Sequence, residues 1–114
     1  MERRSVERLP ARLQARLFYG NMIYSGIVAN LSEKGMFICT RINFPIDSVF
    51  VVIVLRNGQT FKFPVKVRRF TKSNNNHYGC IEESGIGVEL LNTPQDYLEF
   101  INKCKFSGES ILKD

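Results

Sequence analysis

Hydrophobic and polar residues alternate along the first part of the chain, after a charged start. Leu13, Ala15 and Leu17 are spaced by two, which is the period of a strand with one buried face. Gly20-Asn21 then favours a turn, and residues 22–29 and 36–40 are rich in strand-forming side chains. The pattern predicts three strands joined by short connections in this part of the chain.

The middle of the chain predicts a hairpin. Residues 49–55 are almost all β-branched, and Asn57-Gly58, which follows, is typical of tight two-residue hairpin turns. Residues 60–70 then alternate between apolar and basic side chains, so we expect one face in the core and the other in water. The predicted core residues are Phe61, Phe63, Val65 and Val67, and the predicted solvent-facing residues are Lys62, Lys66 and Arg68.

The last third of the chain predicts further strand and then a helix. Residues 73–77 are a predicted polar loop, and residues 78–81 and 85–91 predict one or two strands. Thr93-Pro94 is typical of a helix start, because threonine caps the N-terminus and proline fits the first helical position. Apolar residues follow at helical spacing, at Tyr97, Leu98, Ile101 and Cys104. The whole pattern predicts a mainly β fold, a small antiparallel Greek-key β-barrel with a C-terminal α-helix.

The composition fits one small domain. The chain has 114 residues, of which 44% are hydrophobic and 24% are charged, and this balance is typical of a single modest core. Its longest apolar run, residues 49–55, is far below the roughly 20 residues that cross a bilayer, and its first residues are charged. We therefore expect a cytoplasmic protein with no membrane partner.

Cys39, Cys80 and Cys104 are widely spaced and odd in number, so we expect reduced thiols.

Basic residues cluster in two places, and the formal net charge is +5. Residues 62–72 contain five basic residues and no acid, but the strand alternation explains them as a solvent face. Residues 2–16 contain five arginines and two glutamates. Clustered cations of this kind are candidates to bind an anionic partner, whereas the plainer interpretation is a solvated face that keeps the protein soluble and, for Arg4 and Arg8, a frayed basic tail.

The sequence predicts no catalytic residues. His77 lies among asparagines with no nucleophile nearby, and a lone loop histidine is usually solvated. Glu82 and Glu83 are adjacent, so in an extended segment they point to opposite faces and cannot form an acid–base pair. Gly85-Ile86-Gly87 lacks the third glycine of a dinucleotide loop, and no metal-ligand spacing occurs. We therefore predict a protein that is not an enzyme, with no metal site and no cofactor.

Two polar motifs remain as candidate binding groups. Arg4 and Arg8 are four residues apart, and Leu9 before Pro10 disfavours a helix, so extended spacing puts both guanidinium groups on one side. Guanidinium groups can take phosphate oxygens bidentately, stack on a purine, or reach guanine O6 and N7.

The second motif is the polar turn Asn30-Leu31-Ser32-Glu33-Lys34-Gly35 at a strand end. Alternation puts Asn30 and Ser32 on one surface with Leu31 in the core, and the Asn30 amide can both donate to and accept from a base edge. Gly35 takes a positive φ at little cost and leaves room for a ligand to approach the backbone. Alone, such a turn is ordinary loop chemistry.

Together, in this order and at this separation, the two motifs resemble the cyclic di-GMP signature of the PilZ family, Arg-x-x-x-Arg followed by Asp/Asn-x-Ser-x-x-Gly. Residues 3–10 resemble the N-terminal arm of the family, residues 26–38 its central turn and next strand, and residues 85–90 a late strand. The resemblance covers nearly the whole chain. It implies a six-stranded antiparallel barrel with a C-terminal helix.

The resemblance also implies the ligand and its contacts. Cyclic di-GMP would be held by Arg3, Arg4, Arg8, Asn30, Ser32 and Gly35. Arg3, just before the motif, is associated in the family with a stacked pair of ligand molecules, so we expect two per chain. Many members carry Asp where this chain has Asn30, which removes one strong acceptor for the guanine N1 and N2 hydrogens.

By this likeness residues 1–10 form a ligand-binding arm, residues 11–106 the barrel with its helix, and residues 107–114 a tail. The arm has little apolar surface to hold it down, so we expect it to fold over the barrel mouth when ligand binds and to signal to an unidentified protein effector. One alternative is a PilZ-like adaptor that binds protein and hardly any nucleotide. Another is a barrel for single-stranded nucleic acid, but core alternation already explains residues 61–70, so no nucleic-acid partner is expected.

Overall fold

The computed structural model describes residues 8–72 and 84–107. Six strands are followed by one helix. They are β1 (Leu9–Tyr19), β2 (Met22–Leu31), β3 (Gly35–Cys39), β4 (Val49–Arg56), β5 (Gln59–Thr71), β6 (Gly85–Leu90) and α1 (Gln95–Ser107). The predicted loop at 73–77 and the predicted strand at 78–81, which holds Cys80, lie outside the described residues.

The six strands form a closed barrel in the order β1-β2-β3-β6-β5-β4, and every neighbouring pair is antiparallel. Strand β4 returns to lie beside β1 after the connection 40–48, which gives the spatial order 4-1-2-3 of a Greek key. The predicted mainly β fold, a six-stranded antiparallel Greek-key barrel with a C-terminal helix, is confirmed.

Alternating burial confirms the strand patterns. In β1 the side chains of Leu13, Ala15 and Leu17 are buried while their neighbours are exposed. In β5 the predicted core residues are at most 1% exposed. Each large aliphatic or aromatic side chain buried in this way stabilises the fold by about 1.5–3 kcal/mol. The barrel interior is therefore the single core of the described chain.

Strand β1 starts earlier than the alternation predicts. Leu9 pairs with Leu31 and Pro10 with Asn30, so two residues assigned to the arm belong to the sheet. Proline has no N–H for the ladder, and the register shifts between Pro10 and Leu13, where an irregularity accommodates it. Because proline is unusual in a strand, the sequence pattern does not show that β1 begins before Pro10.

Two tight turns have the backbone that their residues favour. Asn57 and Gly58 both have positive φ, at 48° and 82°, as the two-residue hairpin turn between β4 and β5 requires. Gly20 has φ 62° in the turn between β1 and β2. Both turns confirm the sequence predictions.

Helix α1 begins where Thr93-Pro94 predicts. The carbonyl of Pro94 accepts the first two hydrogen bonds, from the backbone N–H of Tyr97 at 3.2 Å and of Leu98 at 3.1 Å. The buried face is Tyr97, Phe100, Ile101 and Cys104. The predicted Leu98 is only half-buried, and Phe100 belongs to the buried face instead. The centroid of the Phe100 ring lies 5.1 Å from that of Phe61. The helix thus packs over one end of the barrel.

The other end of the barrel is filled by an aromatic cluster. Phe44, from the connection 40–48, is buried. The centroid of its ring lies 5.2 Å from that of Tyr19, 5.5 Å from that of Tyr24 and 5.0 Å from that of Phe50. Such ring pairs contribute about 0.5–1.5 kcal/mol beyond their buried area.

No helix in the described part of the chain is long and apolar enough to span a membrane.

Candidate functional site

Arg8 and Asn30 meet at the helix-covered end of the barrel. The pairing of Pro10 with Asn30 and of Leu9 with Leu31 brings the start of β1 beside the end of β2. The Arg8 Nη1 donates a hydrogen bond of 2.6 Å to Asn30 Oδ1 at the surface. Two residues that are far apart in the chain, and that belong to different predicted motifs, therefore form one site.

Ser32 shapes the turn that follows Asn30. Its hydroxyl accepts hydrogen bonds from the backbone N–H of Lys34 at 3.3 Å and of Gly35 at 3.2 Å, and it donates to the Gly35 carbonyl at 3.2 Å. Ser32 is only 3% exposed. The expectation that Asn30 and Ser32 line one surface differs from the structure, because the turn draws the short Ser32 side chain inward.

Gly35 is a glycine for a different reason than the one we inferred. Its φ is not positive; instead, a Cβ on Gly35 would lie 2.6 Å from the carbonyl oxygen of Val88 on β6. The strands approach too closely there for any side chain. The predicted room beside Gly35 is taken by the neighbouring backbone, so Gly35 permits strand pairing.

Tyr97 of α1 hydrogen-bonds to the turn from the buried side. Its side chain is completely buried, and its hydroxyl donates a hydrogen bond of 2.7 Å to the carbonyl oxygen of Ser32. Burial raises the pKa of the Tyr97 hydroxyl well above its ordinary value; the Arg8 charge lowers it and the Glu33 charge raises it. Tyr97 therefore remains a donor at every physiological pH.

Further contacts fix the remaining residues of the turn. Thr93 Oγ1 donates to the Glu33 carbonyl at 3.5 Å, and Lys105 Nζ lies 3.7 Å from Glu33 Oε2. The backbone N–H of Leu90 donates to the Lys34 carbonyl at 2.9 Å. Together with the Tyr97 bond, these contacts hold the turn in one conformation before any ligand is present, which lowers the entropic cost of binding.

A row of outward-facing residues extends from Asn30 across the barrel wall. Asn30 pairs with Phe37, Phe37 with Gly87, and Gly87 with Arg69. Strands lie about 4.8 Å apart, so this row spans roughly 14 Å. Gly87 leaves space that Arg69 occupies, since a Cβ there would lie 3.0 Å from Arg69 Nε. The outer wall along this row thus carries the half-buried Phe37 ring, whose edge lies over Gly85, and the Arg69 guanidinium group.

Sequence reasoning missed Phe37 and Arg69 as site residues. The signal lay in the pattern, because each faces away from the barrel core and pairs with Gly87. Only the strand order shows that Phe37 lies beside Asn30 and that Arg69 lies at the far end of the same row. The predicted site residues Arg3 and Arg4 lie outside the described residues. Among residues 8–72 and 84–107, no group of acidic, histidine or cysteine side chains could hold a metal ion.

The comparisons with known proteins point to one family. The family model described as PilZ domain matches residues 2–107, which is nearly the entire chain. No curated protein sequence is similar enough to this chain to count as a match.

Several solved structures share the fold, and three of them are named here. They are the Bacillus subtilis inhibitor of motility MotI/DgrA (TM-score 0.73, 14% identity, 96% of this chain and 54% of that one), the PilZ domain with c-di-GMP of YcgR from Escherichia coli (0.68, 17%, 93% and 91%), and Escherichia coli YcgR in complex with c-di-GMP (0.73, 16%, 94% and 46%). The chain spans about half the length of MotI/DgrA and of the longer YcgR structure. At these identities the likeness concerns the fold.

Proposed function

This chain belongs to the PilZ domain family, and from that premise we propose that it is a receptor for cyclic di-GMP. The observation that carries the proposal is the contact of Arg8 with Asn30 at a turn that helix α1 already holds in place. The similar PilZ domain of Escherichia coli YcgR is a structure with c-di-GMP, which supports the same ligand here.

The ligand carries two guanines and two phosphodiesters, and the site offers groups for both. Arg8, joined by Arg3 and Arg4 of the arm, would bind phosphate oxygens and guanine faces. The Asn30 amide would bind a guanine edge, since it can donate and accept at once. Ser32 and Gly35 would act through the backbone, because the first caps the turn and the second lets β3 approach β6.

Phe37 and Arg69 would complete the site by stacking. A guanine bound at Asn30 would lie over the wall formed by the row from Asn30 to Arg69, where an aromatic ring and a guanidinium plane are both available. Stacking of a base on an aromatic side chain is worth about 1–3 kcal/mol. This role requires only binding, and we propose no catalytic step for the chain.

We further propose that the arm orders when ligand binds and that Arg3 recruits a second ligand molecule. Ligand phosphates would neutralise the arginines of the arm and draw it over the barrel. The folded arm would then present a new surface to a protein effector. The retained alternative is an adaptor with weak nucleotide binding, which the existing Arg8–Asn30 hydrogen bond favours because ligand must share or replace that bond.

Calorimetric titration tests the proposal directly. We expect cyclic di-GMP to bind with two molecules per chain, and GTP and linear GMP to give no comparable heat. Amide hydrogen exchange of residues 2–9 should slow when ligand is added. Equal heat from GTP would reject the receptor; saturation at one molecule would reject the ligand pair, and unchanged exchange would reject ordering of the arm.

Neighbouring arginines on β5 test the stacking wall. Arg69→Ala should weaken cyclic di-GMP binding by roughly five- to tenfold, since it removes a cation beside the guanine. Arg68→Ala is the matched control, because Arg68 pairs instead with Glu89 at 3.6 Å on the exposed surface. Equal effects of the two substitutions on the dissociation constant would place the guanine elsewhere.

A further inference from the structure

Exposed apolar side chains gather at the barrel end opposite the candidate site. Of the eight large hydrophobic residues exposed in the described chain, six lie next to the turn of the β1–β2 hairpin, in the connection 40–48 or at the start of β4. We refer to these six as the distal apolar surface. They are Phe18, Met22, Ile23, Ile42, Ile46 and Val49.

The strand register extends this surface along the barrel wall. Ile23 pairs with Phe18, Phe18 with Val51, and Val51 with Pro64, so apolar residues of four neighbouring strands lie side by side on the outer face. At about 4.8 Å per strand this row is roughly 14 Å wide. Contiguous apolar surface of this kind on a small protein marks an interaction site.

Positive charges border the distal apolar surface. Arg16 lies between Ser25 and Ile53 in the next row, Lys66 pairs with Val49, and Arg41 precedes Ile42. The sequences of β1 to β5 contain no aspartate or glutamate. Asp47 is the acidic residue of the connection 40–48. The border is therefore cationic on the strands that carry the apolar row, and Glu89 of β6, the other cross-strand neighbour of Lys66, forms an ion pair with Arg68 at 3.6 Å.

We propose that the distal apolar surface binds a partner protein whose contact segment combines apolar side chains with aspartate or glutamate. Charge complementarity selects this partner, because acidic groups would face Arg16, Lys66 and Arg41 while the apolar side chains cover Phe18 and Ile23. A second copy of the chain would instead bring like charges together across the interface.

The side chains are also held as a protein interface requires. Each is between 36 and 58% exposed, so about half of it packs on the barrel, and Phe18, Met22, Ile23 and Val49 stand on hydrogen-bonded strands. A preformed surface loses little conformational entropy on binding, and hot spots of interfaces are of this kind. A bilayer is less suited, because inserting residues must project freely from the protein.

Selection from a displayed library of random peptides tests the proposal with the whole chain as bait. We expect the selected peptides to combine apolar residues with aspartate or glutamate. Ile23→Ser should weaken the binding of a selected synthetic peptide by about tenfold or more, as loss of a hot spot does. Ile27→Ser is the matched control on the same strand, because Ile27 is exposed but pairs with Gln14 away from the surface, and it should change binding less than twofold.

Charge exchange sharpens the test. Arg16→Glu combined with Lys66→Glu should abolish binding of the acidic peptide, and a peptide with lysine in place of its acids should bind this variant. Three outcomes would overturn the proposal: selected peptides without acids, light scattering that shows dimers lost on Ile23→Ser, or sedimentation with phosphatidylglycerol vesicles lost on Ile23→Ser. Cyclic di-GMP titration of each variant separates these failures from a failure of the nucleotide site, since the surface lies at the other end.

Discussion

The two ends of the barrel are built from different interactions. At the helix-covered end, the turn from Asn30 to Gly35 is held by directional hydrogen bonds, such as the one from Tyr97 to the Ser32 carbonyl. At the distal end, the ring of Phe44 packs against Tyr19 and its aromatic neighbours, and the surrounding surface is apolar. Helix α1 also packs through buried rings, Phe61 against Phe100, but the turn above it is specified by hydrogen-bond geometry, whereas the distal end is specified by buried area.

This difference separates specificity from stability. A hydrogen bond contributes a net of about 0.5–1.5 kcal/mol to folding but fixes atoms to within a few tenths of an ångström, so the turn gains position more than energy. A buried aromatic ring contributes more, mainly through its buried apolar area, with a smaller contribution from the geometry of its ring pairs. Substitutions at the distal end should therefore change stability, and substitutions at the turn should change binding.

The largest expected effect is on folding, from Phe44→Ala at the distal end. Phe44 is 1% exposed and contacts three other rings, so its loss should lower the free energy of unfolding by about 3–5 kcal/mol. Chemical denaturation measures this. Cyclic di-GMP affinity of the folded variant should match that of wild type, and a loss of affinity in step with stability would break the separation of the two ends.

The next effect is on binding, from Arg8→Ala. Removing a charge-assisted contact should cost about 1.5–3 kcal/mol, which is roughly one to two decades in the calorimetric dissociation constant for cyclic di-GMP. Arg12→Ala is the matched control, because Arg12 is an exposed arginine of β1, four residues after Arg8. Stability should change little in either variant, since both side chains are exposed. Wild-type affinity in Arg8→Ala would show that the site is misplaced.

Tyr97→Phe should affect both properties moderately. Losing the hydrogen bond to Ser32 should lower the free energy of unfolding by about 0.5–1.5 kcal/mol and weaken ligand binding about two- to fivefold. Tyr24→Phe, at the distal end, should leave binding unchanged.

The pH dependence of stability tests the same hydroxyl. Because burial raises the pKa of Tyr97, its protonated form stabilises the fold fully below about pH 10, where an unfolded tyrosine ionises, and that contribution is lost as the pH rises further. Thermal melts should therefore show a smaller alkaline loss of stability in Tyr97→Phe than in wild type. Parallel alkaline profiles would contradict the buried donor.

The smallest expected effect is that of Asn30→Asp. A carboxylate offers the guanine edge more acceptor capacity, but it also forms an ion pair with Arg8 in the free protein, worth about 0–1 kcal/mol at the surface. Binding should be at least as tight as in wild type, with a gain below about tenfold. Asn21→Asp adds the same charge at the distal turn as a control. A tenfold weakening in Asn30→Asp alone would count against the guanine contact.

Much of the barrel could be predicted because its determinants are local. Alternation in β1 and β5, the Asn57-Gly58 turn and the Thr93-Pro94 helix start each depend on residues close together in the chain. The start of β1 could not be predicted, since Pro10 interrupts the alternation and only its pairing with Asn30 shows that it belongs to the sheet.

The site was less predictable because its determinants are distant. The motif positions Arg8 and Asn30 were predicted together, and the structure brings them into contact. The reason for Gly35 lies in the Val88 carbonyl of another strand, and the inward turn of Ser32 depends on its own local hydrogen bonds. The wall of Phe37 and Arg69 requires the strand order, which no local pattern contains.

The hydrogen bond from Tyr97 to Ser32 joins residues 65 positions apart, which has a consequence for biosynthesis. A ribosome adds about 5–20 residues per second, so Ser32 leaves the peptidyl transferase centre roughly 3–13 s before Tyr97 is made. During that interval the nascent turn lacks its buried donor, and its Glu33 side chain lacks Lys105. The candidate site therefore receives its buried donor only after α1 is made, and we expect a chain stalled before the helix not to bind cyclic di-GMP.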